Sequence, residues 1–206
     1  MSVMNFWFAT NNAHKNKELE AILGVSLKIP KPHGLNFDPE ETGTTFHDNA
    51  LIKAKDLQRI LCLGAMGENN AVIADDSGLC VDGLGGRPGV LSARYGMENG
   101  KQLSSAEQNI LLLEELGDNP VRSARFVCSM ALLLGSDRFY IFQETLEGEI
   151  VKKSGMKGEG GFGYDPIFFL PEFGKTLAEL SQEEKNAISH RGKAGKQIAN
   201  IIKMMN

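Results

Sequence analysis

The sequence predicts an α/β protein built on a mixed central sheet flanked by helices, and three observations predict it. Short apolar runs alternate with segments whose apolar residues recur at helical spacing. Two long, partly alternating runs follow each other across a short turn, the pattern of an antiparallel hairpin. A chain of 206 residues with 42% hydrophobic and 23% charged content has an ordinary globular composition and is long enough to bury a substantial core.

The elements follow in order. "MNFWFA" (4–9) reads as a buried first strand, and in "KNKELEAILG" (15–24) Leu19, Ile22 and Leu23 share one helical face. Residues 45–63 carry Phe46, Ala50, Ala54, Leu57 and Leu61 at helical spacing, with Thr45 and Asp48 placed as in a capping box. "AVIA" (71–74) is a short strand that stops at two adjacent carboxylates, Asp75 and Asp76. Ser104 or Ser105 begins a helix that runs through "EQNILLLEELG" to a stop near Gly117. "SARFVCSMALLL" (123–134) and "RFYIFQETLEGEI" (138–150) form the hairpin around "GSD", and "SQEEKNAIS" and "RGKAGKQIANIIKMM" close the chain as helices. With no repeat, low-complexity tract or linker, residues 1–206 read as a single domain.

Charge narrows the function. The net charge is -4 and no run of lysine or arginine occurs, which argues against a broad surface for nucleic acid. Any phosphate should be held locally. Cys62, Cys80 and Cys128 are few, far apart and set among apolar residues, as expected of buried thiols in a reducing compartment rather than zinc ligands. The first residues lack the features of a signal peptide and no apolar run reaches membrane-spanning length, so a cytoplasmic location without membrane partners is expected.

Five segments carry more than folding needs. "ATNNAHK" (9–15) joins a strand to a helix start, where backbone N–H groups, the helix dipole and Lys15 favour an anion; the segment taken alone reads more simply as an Asn-rich turn with a solvated lysine. "PEETG" (39–43) places Glu40 and Glu41 before the long helix that carries Lys53. These acids, together with Asp75 and Asp76, are the kind of oxygen set that magnesium takes alongside water and phosphate. In a strand, Asp75 and Asp76 face opposite sides, so both reach one site only if the chain turns at the pair; otherwise one of them is structural. "GLGGRPGVLSARYG" (83–96) bends the backbone tightly. "GEGGFGYDPIF" (158–168) adds Phe162, Tyr164 and Asp165 as a stacking surface for a flat ligand or as a plug for the core. "EEKNAISHRGKA" (183–194) gathers Lys185, His190 and Arg191 as a solvated helix end or as a phosphate and base clamp.

Taken together, "TNNAHK", "EETGTTFHDNALIKA", "VIADDSGLCVDGLGGRPGVLSARYG", "GGFGYDPIFF" and "EEKNAISHRGKA" resemble, in order and spacing, the inosine triphosphate pyrophosphatase family, also called Ham1-like, and most closely its bacterial dITP/XTP branch. The resemblance spans nearly the whole chain. It implies an elongated two-lobed α/β unit with a cleft between the lobes, and a magnesium-dependent homodimer that hydrolyses ITP, dITP and XTP to the monophosphate and pyrophosphate. It implies that Thr10, Asn11, Asn12, Ala13, His14, Lys15 and Lys53 contact the triphosphate, and that Glu40 and Asp76 hold magnesium. Asp76 would also be the proton acceptor, with Ser77 beside the substrate. Phe162, Gly163, Tyr164, Asp165, Lys185, His190 and Arg191 would receive the nucleoside and its base. The chemistry of a 6-oxo purine adds the expectation that Arg191, with His190 beside it, donates to the 6-oxo edge while Phe162 stacks on the ring. Asn11 and His14 stand where many relatives have glycine. Two other classes share parts of the pattern: a nucleotide-binding module without turnover, and a phosphatase that releases inorganic phosphate.

Overall fold

The computed structural model describes residues 4–64, 69–135, 137–158 and 163–205. In chain order the main elements are β1 (Asn5–Phe8), α1 (Ala13–Leu23), α2 (Phe46–Leu63), β2 (Asn70–Val81), α3 (Ser105–Leu116), β3 (Ser123–Leu133), β4 (Phe139–Ile150), β5 (Phe168–Leu170), β6 (Lys175–Thr176), α4 (Gln182–Ile188) and α5 (His190–Met205). The six strands form one sheet in sequence order, with β1 parallel to β2 and β5 antiparallel to both β4 and β6. The mixed sheet expected from the sequence is therefore present.

The chain divides into two compact units, one comprising Met1–Asp76, Cys128–Glu144 and Arg191–Asn206, the other Ser77–Val127 and Thr145–His190. In the first unit the period of two along β2 separates two cores. Ala71 and Ile73 pack with Leu19 and Leu23 of α1 and Ala194 and Ile198 of α5. Val72 and Ala74 pack with Ala50, Ala54 and Leu57 of α2. The same alternation continues into the carboxylates, so Asp75 belongs to the side of α1 and α5 and Asp76 to the side of α2. In the second unit, Leu112, Leu113 and Leu116 of α3 share a core with Phe126, Ile150, Ile167 and Phe168.

Local signals set the helix limits. Asn12 caps α1, its side chain accepting from the His14 and Lys15 amides, and Gly24 ends it in the left-handed conformation. Thr45 caps α2 through the Asp48 amide. Ser104 and Glu107 form a complete capping box on α3, as do Ser181 and Glu184 on α4. Three expectations change. The strand read as 71–74 runs on to Val81, through Asp75, Asp76, Ser77 and Gly78, and the chain does not turn at the acidic pair. The short strands β5 and β6, too brief to show a pattern, were not foreseen. Of the thiols expected to be buried, Cys128 is, whereas Cys62 is exposed. No helix among the described residues is long and apolar enough to cross a membrane.

Candidate active site

The acidic pair sits in the middle of β2; Asp76 meets one cation, from α2, and Asp75 meets two, from α1 and α5. Asp76, 8% exposed, accepts at Oδ1 from the Lys53 ammonium at 2.9 Å and at Oδ2 from the Asn49 amide at 3.3 Å. Asn49 and Lys53 lie one turn apart on the buried face of α2, which aims both at the strand. The same ammonium is 3.0 Å from Oε1 of Glu41. Asn49 also accepts from the Gly43 amide at 2.8 Å, tying the "PEETG" loop to the helix start. A Cβ at Gly43 would lie 2.6 Å from Asn49 Oδ1, so this approach requires glycine.

Asp75 turns the other way. Its carboxylate accepts from Lys15 at 3.1 and 3.2 Å and from Nε and Nη2 of Arg191 at 3.3 and 3.2 Å. The third branch of the guanidinium, Nη1, is 2.7 Å from Glu18 on α1. Two cations and two carboxylates thus join α1, β2 and the start of α5.

These environments push the two aspartates apart. Burial works against the Asp75 carboxylate, but Lys15, Arg191 and Lys53 outweigh it and hold the group well below the usual carboxylate range. For Asp76, burial pushes the carboxyl up, Lys53 pulls it down, and Glu41 and Asp75 push it up again, leaving it above its ordinary value. Lys53 itself is lowered by burial and raised more strongly by Asp75, Asp76 and Glu41, so it stays charged. Asp75 is a fixed anion; Asp76 is the better proton acceptor.

The Lys53 ammonium marks a point on which two carboxylates, Glu41 and Asp76, already converge. Oxygen donors so placed fit a hard divalent cation. Among the described residues no group of three or more His, Cys, Asp or Glu gathers at one point. A metal here would therefore draw on one or two carboxylates and take its remaining ligands from water and phosphate, the habit of magnesium rather than zinc. The geometry brings Glu41 to Lys53, which also holds Asp76, while Glu40, the expected metal ligand, is exposed.

The other expected residues are placed as follows. Thr10 Oγ1 accepts from the Asn12 amide at 3.1 Å, and Asn11 donates to the Phe37 carbonyl at 2.9 Å. The helix start read as an open anion site is thus partly closed by its own Asn12 cap, with Ala13 and His14 exposed beside it. Ser77 is half-buried, next along β2. In the second unit Asp165 and Lys185 pair at 2.7 Å with both side chains largely buried, and the His190 ring stacks on Phe126 at 5.0 Å. Gly163 opens the described part of its loop, and Phe162 lies outside the described residues. Tyr164, read as part of a stacking surface or as a plug, is a plug: it is 4% exposed and donates to the Ser92 carbonyl at 2.8 Å. Arg191, expected at the base edge, has Nε, Nη1 and Nη2 engaged with Asp75 and Glu18. Sequence reasoning missed Asn49, although an asparagine one turn before a lysine on an otherwise apolar helix face was a visible signal.

Comparison with known proteins places this geometry in context. The Ham1 family model matches residues 6–201. The dITP/XTP pyrophosphatase of Treponema denticola is 49% identical over 97% of this chain and 99% of that protein. The protein of the same name from Halalkalibacterium halodurans is 46% identical over 95% and 97%. Among solved structures, a HAM1 protein from Coxiella burnetii superposes with a TM-score of 0.85 at 36% identity, covering 98% of this chain and all (100%) of that one. The Staphylococcus aureus Ham1 protein superposes with a TM-score of 0.82 at 37% identity and the same coverage.

Proposed function

The chain belongs to the Ham1 family, and from that premise we propose that it hydrolyses ITP, dITP and XTP to the monophosphate and pyrophosphate with magnesium, as a cytoplasmic homodimer. It is a nucleoside-triphosphate pyrophosphatase, in keeping with full-length likeness to proteins named for that activity. One observation carries the mechanistic reading: β2 holds two adjacent aspartates on opposite faces, one locked by Lys15 and Arg191 and the other poised beside Lys53, Asn49 and Glu41.

On this reading Asp76 takes the proton of the water that attacks the α phosphorus. Its buried, raised carboxyl suits that task, and Asn49 fixes its orientation. Lys53, charged and held between Glu41 and Asp76, swings its ammonium onto the phosphates as they enter. Lys15 offers a second cation, steadied by Asp75 until substrate arrives, while Thr10, Asn11, Asn12, Ala13 and His14 shape the turn that leads to it. Magnesium, when bound, would be held by Asp76 and a glutamate of "PEETG", Glu41 by geometry and Glu40 by family likeness, and would neutralise charge developing on the pyrophosphate. Ser77 lies next to Asp76 on β2. Gly163, Asp165, Lys185 and His190 would form the nucleoside side, with Tyr164 packed in the core next to them in sequence and Arg191 contributing through the Asp75 cluster.

The test is to incubate the protein with magnesium and a panel of nucleoside triphosphates and identify both products. Inosine monophosphate with pyrophosphate is expected from ITP. IDP with inorganic phosphate would show a phosphatase, and tight binding without turnover a binding module; either outcome overturns the reading.

A further inference from the structure

Helix α3 buries a face formed by Gln108, Asn109, Leu112, Leu113 and Leu116. Its first two members are amides where the others are leucines, and Gln108 spends its Nε2 on the Ala93 and Tyr95 carbonyls. Asn109 is 3% exposed, and its Oδ1 is buried with no hydrogen-bond partner among the described residues. Such an acceptor costs stability, and leucine would fill the position more cheaply. The amide is explained by what its Nδ2 does: it donates to the Gly163 carbonyl at 3.1 Å. Gly163 sits at a φ of +65° with open space around a would-be Cβ, so glycine is there for backbone shape, not for room.

The next two residues are tied down as well. Tyr164 donates to the Ser92 carbonyl and Asp165 pairs with Lys185. Ser92 in turn donates from Oγ to the Gly89 carbonyl at 2.6 Å and accepts the Leu79 amide of β2 at 2.8 Å. Each residue of 163–165 is thus held by a different segment of the second unit, and Asn109 holds the one whose backbone has the most freedom.

We propose that Asn109 is a positioning residue for nucleoside selection: it fixes the Gly163 peptide, and through it the placement of the Asp165–Lys185 pair. This rests on the function proposed above. Asn109 touches no reacting atom, so its loss should weaken binding of the nucleoside without altering the chemical step, which raises KM and spares kcat. A residue needed only for folding would change the melting temperature and leave the ranking of substrates alone.

The experiment uses the full chain with Asn109→Leu, which removes the donor and satisfies the apolar stripe, and with Asn109→Ser, whose hydroxyl is too short to reach Gly163. Melting temperature and kcat and KM for ITP and ATP are measured for each. The expected result is a folded Asn109→Leu protein with KM for ITP raised about tenfold, kcat within about threefold of the parent, and a reduced ratio of kcat/KM for ITP over ATP. Asn109→Ser should show the same pattern and decides the matter if the leucine variant does not fold. A folded variant with unchanged KM and unchanged ratio overturns the positioning role alone. A parent that releases no pyrophosphate from ITP overturns both this inference and the function on which it rests.

Discussion

At the scale of single residues, the two aspartates are chemically identical neighbours in opposite surroundings. Asp75 is 2% exposed and faces two cations; removing its charge leaves Lys15 and Arg191 partly buried against a neutral amide. Asp75→Asn should therefore cost about 3–5 kcal/mol of stability, read as a lower urea midpoint. Asp76→Asn removes the proposed proton acceptor, whose ionised form is already disfavoured by burial. It should leave the urea midpoint close to the parent's and reduce kcat by about a hundredfold or more. If Asp75→Asn instead abolishes turnover without loss of stability, the roles are exchanged. The pH dependence of folding separates them again. Below about 3.9 the unfolded chain binds a proton at position 75 that the folded chain refuses, so stability from Asp75 is full above that pH and is lost as pH falls through the folded value. The acid-side slope of stability between about pH 4 and pH 3 should be shallower in Asp75→Asn.

At the scale of elements, the helices and the hairpin strands were legible because their signals are local: apolar spacing, Ser104 and Ser181 caps, and glycine stops. The extent of β2 was not. Asp, Ser and Gly are poor strand formers, and only partners distant in sequence, Lys15, Lys53 and Arg191, make a strand through "DDSG" tolerable. The same cause hides the choice between Glu40 and Glu41 from the sequence, since a one-residue difference in a loop depends on where Asn49 and Gly43 pin it. Helix packing gives a further test. Gly195 of α5 approaches α1 so closely that a Cβ would lie 2.6 Å from Ile22 Cγ2. Glycine to alanine in a helix ordinarily stabilises by about 1 kcal/mol. Here the sign should reverse, with Gly195→Ala destabilising by about 1–3 kcal/mol because the side-chain contact between α5 and α1 must open. An unchanged or raised urea midpoint would show that the pair yields without strain.

At the scale of the whole molecule, the residues proposed for phosphate and for nucleoside fall on different compact units. The first holds the acids and the lysines Lys15 and Lys53; the second holds Asp165, Lys185 and His190. A phosphate contact carries no information about the base, because every nucleoside triphosphate presents the same phosphates. Lys53→Met should therefore lower kcat/KM for ITP, XTP, GTP and ATP by one common factor, about tenfold to a hundredfold for a lost charge-assisted hydrogen bond. The second unit should behave differently. Hypoxanthine and xanthine present an oxygen at C6 where adenine presents an amino group, so a donor facing that edge accepts the first two and meets another donor in ATP. With three branches of the Arg191 guanidinium engaged by Asp75 and Glu18, His190 becomes the donor to test in its place. His190→Phe preserves a ring to stack on Phe126 while removing both ring nitrogens, so the element should hold its shape. The ratio of kcat/KM for ITP over ATP should then narrow by about tenfold, the value of one unmade polar contact. Measuring all four nucleotides for both variants decides the division: a base-dependent loss in Lys53→Met, or a uniform one in His190→Phe, would show that base and phosphate recognition are not separated between the two sets of residues.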